Sequence, residues 1–417
     1  MTTKARTKSA REPVAKKTPK NPEAIQVHRP QEPTPEIRFN TVLCIVSAPE
    51  QELWSLSLDE RLKKQFAKAG LVETVNDEVA GKHNGPVILV RGDAVIDQPL
   101  ISVLLKRPNF LLLNDDPANP SPVAASIRGK DVARTVDILR GTRAFAGEKL
   151  LARAPSQLDM DYWASLRERE TPYANIVTAK NRRAIEWRMF LGTYKGPTDV
   201  ITKHLWPVPA FYATRFLARL GVTPNMVTIA AVVMAASAFW LFFKGQFVPG
   251  LLAAWTMTFL DTVDEKLGRT TLTSSKWGDY IDRIIDLVHP PIWCAAWGFG
   301  LLATGTQWSD GFFRGVLAII LLGYVFLRLI ENTAVKWLGF EIHTWRPIDT
   351  MFRQVTAPGN PNLVLLTLFT AIAGPDWGLL AVAVWTVICF GLLATQMAQA
   401  LRAKQTTGAL TSWMTKP

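Results

Sequence analysis

The 417 residues predict an α/β N-terminal domain followed by an all-α polytopic membrane domain of about six transmembrane helices. Three observations carry this expectation. Between Ile37 and Ala154, short apolar runs alternate with amphipathic helical stretches, the pattern of strands and helices sharing one sheet. From Asp199 onward the composition turns apolar, with long runs separated by short basic loops. Four carboxylates, Asp261, Asp264, Asp282 and Asp286, interrupt this apolar half, where charge is costly and usually functional.

The first stretch, 1–35, carries Lys4, Arg6, Lys8, Arg11, Lys16, Lys17 and Lys20 with almost nothing apolar, and reads as a disordered, solvated tail. It supplies part of the formal charge of +12. No apolar run follows its cations, so neither a signal peptide nor a nucleic-acid partner is expected here. The three cysteines, Cys44, Cys294 and Cys389, lie far apart and suit a reduced compartment.

Residues 36–154 read as the α/β domain. Thr41–Val46, Pro86–Val90 and Asn109–Leu113 are expected strands, and Leu56–Ala69, Gln98–Lys106 and Lys130–Leu139 expected helices, which suggests a parallel sheet. Arg91-Gly92-Asp93 follows a buried strand and resembles the metal-binding Asp region of sugar-nucleotidyltransferases. The loop after the first strand, Ser47-Ala-Pro-Glu-Gln-Glu52, has two acids and no Gly to cradle a phosphate. The domain therefore looks like a degenerate nucleotidyltransferase, with Asp93 capping a turn. Residues 155–198, rich in Arg and Glu, read as a solvated helical connector.

The membrane domain is expected over 199–405, with a short tail at 406–417. Val200–Leu220 mixes aromatic and basic residues in the manner of a helix lying at the membrane interface. Spans follow near Met226–Phe243, Val248–Leu260, Ile284–Leu302, Gly315–Leu329, Leu363–Ala373 and Leu379–Ala394, with Pro290 and Pro291 expected to kink the third. Several reach a crossing length only if the flanking carboxylates lie inside the helices. Lys266, Arg269, Lys276 and Arg283 follow span two, and Lys336, Arg346 and Arg353 follow span four. The even-numbered loops and both termini are thus expected in the cytoplasm, at the inner (cytoplasmic) membrane.

Asp261 and Asp264 are three apart and Asp282 and Asp286 four apart, so each pair shares a helix face. If the two faces meet, the four groups must take up protons or hold a cation. An all-oxygen site suits Mg2+ or Mn2+, and two such ions can clamp the attacking and leaving oxygens of a phosphoryl transfer. The bland alternative pairs the carboxylates with Lys266, Arg269, Lys276 and Arg283.

These residues resemble the CDP-alcohol phosphotransferase family, whose pattern is D-x2-D-G-x2-A-R-x8-G-x3-D-x3-D. Asp261, Asp264, Arg269, Gly278, Asp282 and Asp286 fall on it with every spacing kept. Glu265 stands where the family has Gly, and Gly268 where it has Ala. A carboxylate at 265 would repel a pyrophosphate, pair with Arg283 or Lys266, or add a metal ligand. Thr223-Pro224-Asn225-Met226-Val227-Thr228 resembles the family's P-N-x-x-T helix start, although Pro and Asn there are also ordinary caps.

The resemblance implies a membrane phosphotransferase that releases CMP as it moves a substituted phosphate from a CDP-alcohol to a hydroxyl, in phospholipid or inositol-phosphate lipid synthesis. Asp261, Asp264, Asp282 and Asp286 would hold two divalent ions, and Asp286 would also act as general base. Asn225, Thr228, Gly268, Arg269 and Gly278 would bind the donor. Arg346 and Arg353 suit a phosphorylated acceptor, while a basic loop at that position is equally what topology demands. The resemblance further implies membrane lipid as environment and a homodimer. The alternative reading is a catalytically weakened nucleotide- or lipid-binding protein that anchors the N-terminal domain.

Overall fold

The computed structural model describes residues 40–145, 149–158, 162–163, 168–169, 171–194 and 196–415; the basic tail 1–35 lies outside them. Besides a short hairpin of Glu52–Leu53 with Leu56–Ser57, the N-terminal strands are β1 (Val42–Val46), β2 (Thr74–Val75), β3 (Pro86–Arg91), β4 (Ala94–Ile96), β5 (Phe110–Leu113), β6 (Pro122–Arg128) and β7 (Leu151–Arg153). All but β4 form one sheet in the order β2-β1-β3-β6-β5-β7. Helices α1 (Leu58–Lys68) and α2 (Gln98–Lys106) cover one face and α3 (Val132–Arg140) the other. The strands sort their side chains by alternation. Leu43, Ile88 and Val90 pack under α1 and α2, while Val42, Cys44, Val87 and Leu89 pack under α3.

The expected parallel sheet is corrected to a mixed one. β1 pairs in parallel with β2 and β3, and β5 with β7, but β6 runs antiparallel to both β3 and β5. The connection 114–121 is shorter than the dozen or so residues that a parallel crossover needs, so β6 has to return antiparallel to β5.

The stretch 155–198 is not the solvated helical connector expected. Among its described residues only α4 (Arg182–Leu191) is α-helical, and β8 (Ala174–Ile176) pairs antiparallel with β4. Helix α4 buries Ile185, Met189 and Phe190 in a cluster with Leu53 and Trp54 from the N-terminal region and Phe211, Val227, Val263 and Leu267 from the helical region. Trp54 lies 6.0 Å from Phe190 and 5.4 Å from Phe211, ring centre to ring centre. This shared core joins the two regions.

The helical part comprises α5 (Pro207–Arg219), α6 (Pro224–Phe243), α7 (Phe247–Thr270), α8 (Lys276–Thr304), α9 (Asp310–Leu338), α10 (Pro347–Thr356), α11 (Asn360–Ala373) and α12 (Pro375–Thr407). Among the described residues α6, α8, α9 and α12 are long and apolar enough to cross a membrane. The pair α10–α11, bent by 47°, makes a fifth if taken as one span. Helix α7 has the length but carries five charged residues from Asp261 to Arg269. The carboxylates do lie inside helices, and α8 continues through Pro290 and Pro291. On α5, Val208, Tyr212 and Phe216 stay exposed along one stripe, as an interfacial helix requires.

Helices α6 and α8 meet without room for a side chain. A Cβ on Gly300 would stand 2.0 Å from the Phe242 carbonyl oxygen of α6; on α7, a Cβ on Gly250 would likewise stand 2.5 Å from the Phe242 ring. Small residues of this kind let membrane helices pack backbone to backbone. Gly300→Ala should therefore force α8 off α6 and destabilise the protein by about 1–3 kcal/mol. Gly311→Ala, with nothing within 4 Å of the added carbon, is the matched control. Thermal unfolding in detergent checks both, and equal midpoints would refute the contact.

Candidate active site

Helix α7 runs unbroken from apolar residues into its charged end, and a turn through Leu272 (φ 57°) leads into α8. Ser275 caps α8 by accepting a hydrogen bond from the Gly278 amide at 2.9 Å. This geometry brings Asp261, Asp264 and Asp282 together, each offering a carboxylate oxygen within 4.8 Å of the others. Thr228 of α6 donates to Asp264 at 2.7 Å, which orients that carboxylate. Asp286 lies one turn beyond Asp282 on the same face, outside the three-carboxylate group. An all-oxygen cluster of this spacing has the chemistry to hold a hard divalent cation.

The cluster divides two cavities. Asp264 and Asp282 line one of about 360 Å³, together with Asn225, Gly268, Arg269 and Gly278. Thus every residue expected to bind the donor, Thr228 included, borders one space. Ser275 donates to Asn225 Oδ1 at 2.9 Å, and a Cβ on Gly278 would stand 3.0 Å from that oxygen. Asp261 and Asp286 line the other cavity, of about 210 Å³, with Asp199, Arg328, Arg353 and Asn360. Glu265 borders both.

The two arginines expected on the acceptor side part company. Arg353 lines the second cavity. Arg346 lines neither: it forms a two-pronged pair with buried Asp349 at the start of α10, at 2.9 Å for each prong, and stacks on the Trp345 ring. Asp349 captures it because a carboxylate three residues on matches the guanidinium fork. Arg328 on α9 takes the place beside Arg353. Sequence reasoning missed it, yet a lone Arg inside an apolar span three residues before a Glu was the available signal. Asn360 and Asp199 carried no such signal.

Residues 221–390 match the family described as CDP-alcohol phosphatidyltransferase. That stretch is a CDP-alcohol phosphatidyltransferase domain. The archaetidylinositol phosphate synthase of Pyrococcus horikoshii is 38% identical over 71 residues, covering 17% of this chain and 37% of that protein. The phosphatidylinositol phosphate synthase of Streptomyces avermitilis is 34% identical over 76 residues, covering 18% and 30%. The chain thus spans about a third of the length of the curated relatives it matches. A solved phosphatidylinositol phosphate synthase from Mycobacterium tuberculosis, with CDP-DAG bound, aligns at 18% identity and a TM-score of 0.35 over 44% of this chain and 91% of its own.

The phosphatidyltransferase domain departs from its family pattern at Glu265, and the structure gives that carboxylate partners. Arg269 lies 2.5 Å from it and Lys266 3.3 Å. Lys266, only 1% exposed, sits 3.6 Å over the Tyr194 ring and donates to the Thr193 carbonyl at 3.1 Å. Arg269 donates to the same carbonyl. Burial and the charge of Glu265 push the Tyr194 hydroxyl above its ordinary range, so it stays protonated. Pairing with Arg283 or Lys266 was one expectation for this carboxylate; Lys266 does pair with it, and Arg269 joins.

A second link crosses from the N-terminal region to the phosphatidyltransferase domain. The Arg61 guanidinium on α1 donates to the Thr270 carbonyl, the last residue of α7, at 2.5 Å and to the Leu53 carbonyl at 3.3 Å. Burial lowers its pKa to about 10, which leaves it charged at neutral pH. A cation at a helix C-terminus also complements the helix dipole. Arg61→Ala should cost about 2 kcal/mol, the size of a charge-assisted bond to a carbonyl. Thermal unfolding of the full chain checks this; an unchanged midpoint would show the link to be idle.

Proposed function

We propose that this chain is an integral membrane CDP-alcohol phosphotransferase. It moves a substituted phosphate from a CDP-linked alcohol to a hydroxyl of a phosphorylated polyol and releases CMP. The observation that carries the reading is the carboxylate cluster shared by two cavities: Asp264 and Asp282 face one, Asp261 and Asp286 the other. Donor and acceptor can then approach the same acidic centre from opposite sides, which is what an in-line displacement needs. The synthases that the domain matches support a phosphorylated acceptor alcohol.

In this reading Asp261, Asp264, Asp282 and Asp286 hold two Mg2+ or Mn2+ ions, which when bound neutralise the charge of the donor pyrophosphate. Thr228 fixes the orientation of Asp264. Gly268 and Gly278 keep the donor cavity open next to Asn225, so a nucleotide can lie close to α7 and α8. Arg269 binds donor phosphate by exchanging Glu265 for it. Asp286 takes the proton of the acceptor hydroxyl as that oxygen attacks phosphorus and the anhydride bond to CMP breaks. Arg328 and Arg353 receive the acceptor's own phosphate.

The same reading includes a sixth span through α7, a cytosolic active site with both termini on that side, as the basic loops favour, and a homodimer. It keeps the boundaries 36–154, 155–198 and 199–405 as functional divisions. The N-terminal domain is taken as a nucleotidyltransferase-like fold without that activity. Asp93 supports this, because Arg91 engages both of its carboxylate oxygens at 2.8 Å.

The ion pair between Glu265 and Arg269 favours a second reading, a nucleotide- or lipid-binding membrane protein with weakened chemistry. One assay separates them: CMP release from CDP-diacylglycerol, with and without Mg2+ or Mn2+, offering glycerol phosphate, inositol or an inositol phosphate. The expected outcome is metal-dependent release stimulated by a phosphorylated polyol. Asp286→Asn should reduce it at least about 100-fold, the scale of general-base catalysis. Silence with every acceptor that Glu265→Gly relieves would move the second reading to the front. Silence that persists would count against this donor class.

A further inference from the structure

Behind the second cavity stands a carboxylate, Glu331, to which the proposed chemistry gives no part. Glu331 of α9 accepts from Arg328 Nη1 at 2.7 Å through one oxygen and from Arg353 Nη1 at 2.9 Å through the other. His343 Nε2 lies 3.0 Å from the same oxygen that Arg353 uses. His343 is buried, which holds its pKa below the ordinary value and keeps the ring neutral at pH 7. Two guanidinium charges therefore share one carboxylate, and the group retains a net positive charge. Arg328 is steadied further by Tyr324, whose hydroxyl accepts from Arg328 Nε at 3.3 Å and donates to the Leu287 carbonyl, next to Asp286, at 2.8 Å.

Both arginines also line the cavity that contains Asp261 and Asp286. A guanidinium has five N–H donors. Arg328 bonds through Nε and Nη1 and Arg353 through Nη1, so the Nη2 end of each is uncommitted among the described residues. We propose that Glu331 is a positioning residue that holds Arg328 and Arg353 side by side as one fork for the phosphate of the acceptor, without touching the acceptor itself. This rests on the proposed phosphotransferase function. A carboxylate shared by two guanidinia fixes their separation and spares each the entropy of finding the phosphate alone. Without it, two like charges would spread apart in the cavity.

The test uses the full chain in detergent. Glu331→Gln should raise the KM for an inositol phosphate about tenfold, the scale of one charge-assisted hydrogen bond, while the KM for CDP-diacylglycerol moves less than about twofold. Glu331→Asp should recover part of the loss. In an Arg353→Lys background, Glu331→Gln should add little, because the residue acts through the fork that is already altered. Retained CMP binding shows that each variant is folded. If both KM values and kcat shift together, or the acceptor KM does not move, the positioning role is wrong. Direct binding of the inositol phosphate, measured by calorimetry without donor, separates the two levels. Binding lost in Glu331→Gln without turnover in the unaltered protein would sustain the fork and sink the phosphotransferase. Turnover with an unaffected acceptor KM in Glu331→Gln would do the reverse, and neither binding nor turnover would overturn both.

Discussion

The structure turns on the meeting of like charges inside an apolar bundle. Carboxylate oxygens of Asp261, Asp264 and Asp282 lie within 4.8 Å of one another, an arrangement that repels itself and that helix propensity alone would never choose. It is held by packing around it. Phe242, Phe247, Ala254, Met257, Trp293 and Trp297 form the core that locks α6, α7 and α8 together just beyond the acidic end. Gly300 brings α8 to backbone distance of α6, and Gly250 seats α7 directly against the Phe242 ring. The apolar contacts that stabilise the bundle thus also impose the crowding from which its proposed chemistry would draw.

Crowding at the site extends to the N-terminal region. The Thr193 carbonyl receives Lys266 and Arg269, and Arg61 reaches the end of α7, so three cations near the acidic centre are tied to backbone oxygens. Beneath them, Trp54, Phe190 and Phe211 share a core with Val263 and Leu267. The α/β region is packed against the end of the helix that carries two of the carboxylates. Glu265 belongs to this junction: with Lys266 and Arg269 around it, a carboxylate at a position where the family keeps glycine is neutralised locally.

Much of this was legible in the sequence. Period-two and helical patterns located β1, β3, β5, α1 and α2 to within a few residues, because each buries one face against a sheet or helix and the residue spacing records that face. The carboxylate segment was legible because charge inside apolar spans is rare and its spacing fixed. The strand β6 was not, since Ala124, Ala125 and Ser126 carry little strand preference and become a central strand only by pairing with β3 and β5. The stretch 155–198 misled because its Arg and Glu content suggests solvent, whereas Glu186 is buried against Arg182 and Arg215.

The sequence by itself determined the order of the two regions, the helices that hold the carboxylates, and which residues could border a donor. These are local properties, set by periodicity and by spacing along one or two helices. Only the tertiary structure decided that the acidic cluster parts two cavities, that Arg353 faces the second while Arg346 is spent on Asp349, and that Arg328 joins Arg353 on that wall with Glu331 behind them. The reason is physical: a guanidinium takes whichever carboxylate lies within reach of its fork, and which one that is depends on helices far apart in the chain.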